Sequence, residues 1–212
     1  MGSKFLDGEG YAVNMSNQIE TAITVQLENR DRKSVALRIF LVVPMAIFIS
    51  AFTAWSGSTE SSAFLSGLLF LPVLLALVFR GIYPSYALEF NRSLLALSTR
   101  VSAYIFLLND NYPSIEESED VKITFPDVEG GAKLDRYSPL AKWLLAIPLY
   151  LVGFVYVIYG LAVLVFAWFT ILFTGKMPAA SAEVLLGVTQ YWNRVYGYAF
   201  LLVTDEYPSF SL

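Results

Sequence analysis

The stretch that decides the fold is WLLAIPLYLVGFVYVIYGLAVLVFAWFTILFTG, residues 143–175, which holds 33 residues and no charged side chain. The hydrocarbon core of a bilayer is about 30 Å thick, so about 20 apolar residues form a helix that crosses it. This stretch is too long for one upright span and too short for two comfortable spans with a loop. The alternatives are one steeply tilted helix and a hairpin folded near Tyr159 and Gly160, and the repeat described below favours the hairpin.

A second apolar stretch lies earlier in the chain. Residues 39–79 contain a single charged side chain, that of Glu60. Two apolar limbs, residues 39–55 and 63–79, flank the polar segment SGSTESS at 56–62. Limbs of this length joined by small polar residues predict a helical hairpin in which each limb is at the lower limit for crossing a membrane.

The composition favours a membrane protein. Of the 212 residues 56% are hydrophobic and 15% are charged, and the mean hydropathy is +0.57. Ordinary globular domains have about 45–50% apolar and about 25% charged residues. The absence of Cys and His excludes disulfides, thiolate nucleophiles, imidazole ligation of zinc or haem, and Ser-His-Asp hydrolysis. The net charge of −4 argues against a general nucleic-acid binder.

The chain also repeats itself. Arg38 stands six residues before Pro44, and Lys142 stands six residues before Pro148. The segment GIYP at 81–84 corresponds to GKMP at 175–178, and the copies end in NDNYPSI (109–115) and TDEYPSF (204–210). Three further pairs share an offset of 94: Glu89 and Glu183, Arg100 and Arg194, Tyr104 and Tyr198. We therefore predict an N-terminal tail at 1–19, a first membrane repeat at 20–115 and a second at 116–212.

Each repeat opens with apolar and polar residues in alternation, at 23–27 and at 121–125. Such alternation predicts a short, half-exposed strand, and the two strands can pair across the repeats. Each unit then consists of a strand, an apolar helical hairpin, a Gly-x-x-Pro break and an amphipathic third helix.

Basic residues indicate the orientation. They flank both apolar stretches, whereas the polar turn at 56–62 carries only Glu60. The positive-inside rule then predicts a multi-pass protein of the inner (plasma) membrane with cytoplasmic termini, linker and strands, provided that each apolar stretch returns to its starting side. The first apolar run begins late and follows a polar segment, so we expect no cleavable signal peptide.

The third helices, residues 84–108 and 178–203, carry the matched charges. Helix positions eleven residues apart lie on nearly the same face, about 20° off. Each helix therefore presents a polar seam, a name we use for two sets of residues: Glu89, Arg100, Tyr104, and Glu183, Arg194, Tyr198. The seam is a candidate for binding a lipid headgroup, a small anion or a partner. Alternatively, its charges satisfy one another, the other helix or the headgroup layer, and the pattern leaves open whether these helices cross the membrane or lie in its interface.

The common nucleotide-binding and hydrolase motifs are absent from the sequence, while paired carboxylates and a Ser-Lys arrangement stay open. It contains no Walker A segment, no G-x-G-x-x-G after a strand and no G-x-S-x-G. The linker at 109–138 holds eight acidic and three basic residues but lacks the spacing of an EF-hand, which favours a solvated connector over a calcium site. We expect no metal, no cofactor and no catalytic residues.

The segments LLAIP, AWFTILFTGKMP and AFLLVTDEYPSF resemble a family of bacterial membrane proteins known as DUF4389, a domain of unknown function. The first repeat carries weaker versions, LVVP, LVFRGIYP and IFLLNDNYPSI, so the resemblance covers most of residues 20–212 as two tandem copies. It implies a bacterial inner-membrane protein with no assigned reaction and no catalytic residues to transfer.

The sequence thus predicts an all-α integral membrane protein of two tandem repeats with short cytoplasmic strands. The expected role is non-enzymatic: an accessory or scaffold subunit that contacts membrane lipids and forms a homo-oligomer or joins a larger membrane complex. A carrier or channel for a lipid or small anion is the alternative, and a membrane enzyme acting on lipid is a third hypothesis.

Overall fold

A computed structural model of the chain describes residues 17–49 and 70–212 with their side chains, and the backbone of Ser50 and of residues 5–6 and 12–13. The polar turn predicted at 56–62 lies outside the described residues, together with the adjoining ends of the two limbs. Within the described residues, the outer part of each limb is helical.

The chain is mostly helical. The first half contains α1 (Arg32–Leu41), α2 (Val43–Ser50), α3 (Phe70–Arg80) and α4 (Ser85–Ile105). The second half contains α5 (Ser138–Leu145), α6 (Ile147–Thr174) and α7 (Ala179–Tyr196), which continues as a π-helical turn at Gly197–Leu201. A 3-10 turn lies at Glu129–Gly131.

The predicted helix starts at the two Gly-x-x-Pro breaks are confirmed. Pro84 and Pro178 have extended backbones and cap α4 and α7 directly. Gly81 and Gly175 precede them with φ of 63° and 74°, in the left-handed region that glycine adopts without a steric penalty. Each break is thus a tight turn between an apolar helix and an amphipathic one.

The hairpin expected within residues 143–175 is wrong. Helix α6 runs for 28 residues without interruption through Tyr159 and Gly160. A helix interior tolerates one glycine at a cost of about 1 kcal/mol, and Gly160 packs against Val188 of α7. The chain reverses instead at Gly175, and α6 and α7 form the long helical hairpin of this half. A kink at Ala146, next to Pro148, separates α6 from α5.

The predicted pairing of strands is confirmed. Strands β3 (Glu20–Ile23) and β4 (Val121–Thr124) form an antiparallel two-stranded sheet in which Glu20 pairs with Thr124 and Ile23 with Val121. The first of them lies about three residues earlier than the alternation indicated. A second antiparallel pair joins β1 (Phe5–Leu6) and β2 (Ala12–Val13).

Helix α7 lies between the sheet and α6. Gln190 and Asn193 donate hydrogen bonds to the carbonyl and hydroxyl oxygens of Thr21 in β3, at 2.9 Å each. The hydroxyl of Tyr191 donates to the carbonyl of Leu149 in α6 at 2.7 Å. Each residue turns a helix by about 100°, so the side of α7 that contacts β3 is nearly opposite the side that contacts α6. The order of layers is sheet, α7, α6.

The outer side of α6 is apolar and uncovered by the described residues. Its buried side is formed by Leu149, Gly153, Gly160, Ala167 and Ile171. The opposite side exposes large hydrophobic residues along the whole helix, with Leu151 66% and Phe173 78% exposed. Within the described ranges, α6 is the helix that is long and apolar enough, by length and composition, to cross a membrane.

Candidate functional site

One cluster of buried charges joins α1 and the residues just before it to the segment that follows α4; we call it the Asp110 cluster. The Asp110 carboxylate lies 2.6 Å from Nη2 of Arg38 and 2.8 Å from Nη2 of Arg30. Arg38 also donates to the carbonyls of Tyr104 and Asn109 at 2.7 and 3.1 Å, and its guanidinium stacks on the Tyr104 ring, 4.2 Å from the centroid. The backbone amide of Asp31 donates to Asp110 at 2.8 Å.

In this cluster two guanidinium groups share one carboxylate. The side chains of Arg30 and Arg38 are 0% and 4% exposed. Burial lowers the pKa of Arg30, which the charge of Asp110 opposes and the neighbouring charge of Arg38 reinforces. The backbone carbonyls around the arginines therefore supply part of the stabilisation that a second carboxylate would give.

A second cluster joins α5 to the segment after α7; we call it the Asp205 cluster. Nζ of Lys142 lies 2.7 Å from the Asp205 carboxylate, donates to the Thr204 carbonyl at 2.7 Å, and sits 5.3 Å from the centroid of the Tyr198 ring. The backbone amide of Asp135 donates to Asp205 at 2.6 Å, and the Ser138 hydroxyl donates at 2.5 Å.

The pKa values of this pair move in the same direction. Burial lowers the pKa of Lys142, and the hydrogen bond and charge of Asp205 only partly offset this. Burial alone would raise the pKa of Asp205, but the hydrogen bonds from Lys142, Ser138 and the Asp135 amide outweigh it and hold that pKa below its usual range. The carboxylate is therefore charged at neutral pH and holds the lysine in place.

The two clusters lie at opposite ends of α6. The last turn of α6 meets the Asp110 cluster, because the backbone amide of Arg30 donates to the Gly175 carbonyl at 3.2 Å. The first turn of α6 follows α5, which carries Lys142 of the Asp205 cluster. Helix α7 returns along α6 between these two ends, so each end of the helical layer has its own buried ion pair.

The two glycine turns contact arginines from the other half of the chain. An added Cβ at Gly81 would lie 2.9 Å from the guanidinium of Arg136, and one at Gly175 would lie 3.2 Å from that of Arg32. The adjacent amides follow the same pattern: the amide of Tyr83 donates to the Gly130 carbonyl and that of Met177 to the Leu27 carbonyl, each at 2.8 Å. The halves thus hold each other at both turns.

The polar seam on α4 is divided between two places. Glu89 is exposed and pairs with Arg92 at 3.3 Å, while Arg100 is buried and donates to the carbonyls of Ala96 and Glu116. Glu89 and Arg100 line one cavity of about 950 Å³ between α4 and residues 115–125. Tyr104 is not part of it, because its ring lies under Arg38.

The predicted seam on α7 is not continuous either. Glu183 is exposed, whereas Arg194 donates to the Ser211 carbonyl near the C-terminus. Burial lowers the pKa of Arg194. Tyr198 is buried beside Lys142 in the Asp205 cluster. The structure therefore brings the two seam tyrosines to the ion-pair clusters and leaves the seam glutamates at the surface.

The pairing of the clusters was missed from the sequence. Arg38 and Lys142 occupy equivalent positions of the predicted repeats, and Asp110 and Asp205 lie in the segments NDNYPSI and TDEYPSF that end the two copies. The sequence signal for this pairing is the equivalent position of the charges in both repeats. Each basic residue stands six residues before a proline, and each aspartate stands two residues before a Tyr-Pro. Charges that recur together in both repeats and flank apolar helices are candidates for ion pairs.

Comparison with known proteins gives one match. The family model described as Domain of unknown function (DUF4389) matches residues 136–211 as one copy. This range contains α5, α6, α7 and the side chains of Lys142, Tyr198 and Asp205 from the Asp205 cluster, and it confirms the resemblance over these residues. Neither curated proteins nor solved structures show a match.

Proposed function

We propose that the chain is a non-enzymatic integral membrane protein that acts as an accessory or scaffold subunit, contacting lipids and associating with itself or with a larger membrane complex. The observation that carries this proposal is the outer side of α6. Phe173, Leu151 and Phe154 are 78%, 66% and 64% exposed there, in a helix with no charged residue. Contiguous apolar surface of this kind marks membrane or protein contact.

The proposed architecture is two tandem copies of one unit. The two clusters make corresponding contacts, which support it. In each cluster a basic side chain lies over a tyrosine ring and pairs with an aspartate carboxylate. That carboxylate also accepts a hydrogen bond from the backbone amide of an aspartate earlier in the chain. The contacts of Gly81 with Arg136 and of Gly175 with Arg32, each between the two halves of the chain, support it as well. We place the protein in the bacterial inner membrane with both termini on the cytoplasmic side, as the basic flanks favour.

A structural role is supported by how the buried charges are used. Lys142, Arg38 and Asp110 all bind groups of the chain itself. Buried charges whose partners all belong to the same chain fix the positions of the helices that carry them. Such ion pairs can favour one packing arrangement of the helices over others. The proposal therefore assigns both clusters to holding the fold.

The test is the state of association after extraction in a mild detergent. We expect the purified chain to sediment as a homo-oligomer, or to elute with a stoichiometric membrane partner that chemical crosslinking in intact membranes also captures. A strictly monomeric species without a partner in both measurements would overturn the scaffold role.

The cavity between α4 and residues 115–125 favours the second candidate, a carrier or channel for a lipid or small anion. Arg92 and Arg100 line it and could attract a negative group, but Glu89, Glu116, Glu117 and Glu119 line it too. Flux or bound lipid measured in vesicles would decide, with both arginines replaced by Gln. Loss of flux in the double variant would support transport, and unchanged or absent flux would exclude it.

A further inference from the structure

We infer that α6 lies in the plane of the membrane surface, with its exposed apolar side in one leaflet and with α7 and the β3–β4 sheet stacked above it toward water. This inference rests on the proposed membrane association and names the surface that makes it. The partner is a lipid leaflet, and the contact is the apolar side of α6 opposite Gly153 and Gly160.

The position of the sheet relative to α6 is the first observation. The segment containing β3 runs along the whole of α7 on the side away from α6. The Leu27 carbonyl accepts from the Met177 amide at one end, Thr21 binds Gln190 and Asn193, and Ile19 touches Gly197 at the other end. The segment from Ile19 to Leu27, which includes β3, therefore covers α7 from end to end, and the sheet does not cap one end of the helices.

The charges on that sheet are the second observation. Lys122 pairs in register with Ala22, which lies about halfway between the two ends of α7, and its side chain is exposed. Acidic residues of the linker, Glu117 and Glu119, are exposed close by. If α6 stood upright across a bilayer, α7 would stand beside it and these charges would lie near the middle of the hydrocarbon. Charged side chains at that depth are expensive and occur where they face protein or water.

Laying α6 in the surface plane removes this conflict. All the exposed apolar residues of α6 then face the lipid together, while Lys122 and the acidic linker lie two layers away in water. An amphipathic layer of this kind, rather than a single amphipathic helix, is buried to the depth of the headgroup and acyl boundary.

The distribution of charge around α6 favours a lipid leaflet as the occupant. Exposed charged residues of both signs lie at the two ends of the helical layer: Arg32 and the Lys176–Glu28 pair at the Asp110 end, Arg80, Arg136 and Asp135 at the Asp205 end. The side of α6 between these ends carries no charged residue. An uncharged apolar surface bordered by charged groups suits a position at the boundary between headgroups and acyl chains.

The experiment uses the full chain, which contains no cysteine of its own. Three single variants place a thiol at exposed positions: Tyr137→Cys at the Asp205 end, Lys176→Cys at the Asp110 end and Glu117→Cys on the linker. Each is labelled with a membrane-impermeant maleimide in spheroplasts and in inverted inner-membrane vesicles. Labelling in detergent serves as the control that each thiol is reactive in the folded protein.

In-plane seating predicts that all three positions label in the same preparation and are protected in the other. Labelling of positions 137 and 176 from opposite sides, or protection of position 117 from both, would overturn the in-plane inference and leave the proposed membrane role standing. If the chain is released from membranes by an alkaline wash, the proposed integral membrane role itself fails.

Discussion

Lys142 is 1% exposed and lies among apolar residues with Asp205 as its only carboxylate within ion-pair distance among the described residues. Removing that carboxylate leaves a buried ammonium with a carbonyl alone. We expect Asp205→Ala to lower the free energy of unfolding by about 3 kcal/mol, since breaking a buried pair costs about 3–5 kcal/mol. Thermal unfolding in detergent measures it, with Glu206→Ala, the exposed neighbouring carboxylate, as control. Equal shifts for both variants would show that the pair adds nothing.

The pH dependence of stability follows from the same carboxylate. The pKa of Asp205 is held below its usual range in the folded chain. A carboxylate of this kind stabilises the fold above its unfolded pKa of about 4, and this contribution disappears as the pH falls through the lower folded value. We expect the unfolding temperature of the wild type to decrease below about pH 4 more steeply than that of Asp205→Asn. Parallel curves for the two proteins would contradict this.

At the scale of elements, α6 and α7 pack through glycines that differ in how much room they leave. An added Cβ would lie 2.8 Å from the Trp192 ring at Gly153, but 3.4 Å from Val188 at Gly160. Alanine is favoured over glycine in a helix by about 1 kcal/mol. Gly160→Ala should therefore leave stability unchanged or raise it, whereas Gly153→Ala should lower it by about 1–3 kcal/mol through overpacking. Thermal unfolding of the matched pair measures this, and a reversed order would show that the helices pack differently.

Elements with a local signal were predictable from the sequence. Pro84 and Pro178 start α4 and α7 because proline suits the first turn of a helix, and the alternation at 121–125 marks β4. The continuity of α6 was not predictable, since a 33-residue apolar run satisfies a hairpin and a helix equally well and only packing against α7 decides. The partners of Arg38 and Lys142 were missed for a related reason, because Asp110 and Asp205 lie more than 60 residues away.

For the whole molecule, the order of layers distinguishes two placements of α6, one across the bilayer and one in the plane of its surface. Composition alone fits both placements. Helix α6 is long and apolar enough for a span, yet Lys122, on the sheet that packs against α7, is exposed about halfway along α7. Length and hydropathy describe one helix at a time. The stacking of sheet, α7 and α6 relates that helix to the charges around it, and this relation is visible only in three dimensions.

The most direct measurement is the depth of nitroxide labels along the exposed side of α6, placed one at a time at Leu151, Ile158, Val165 and Phe173 in vesicles containing anionic lipid. In-plane seating predicts that all four labels report the same depth within one leaflet, from their accessibility to oxygen and to a polar nickel complex. In a helix that crosses the bilayer, label depth would instead change by about 1.5 Å for each residue between labels, and the labels would reach both surfaces. That result would contradict the account.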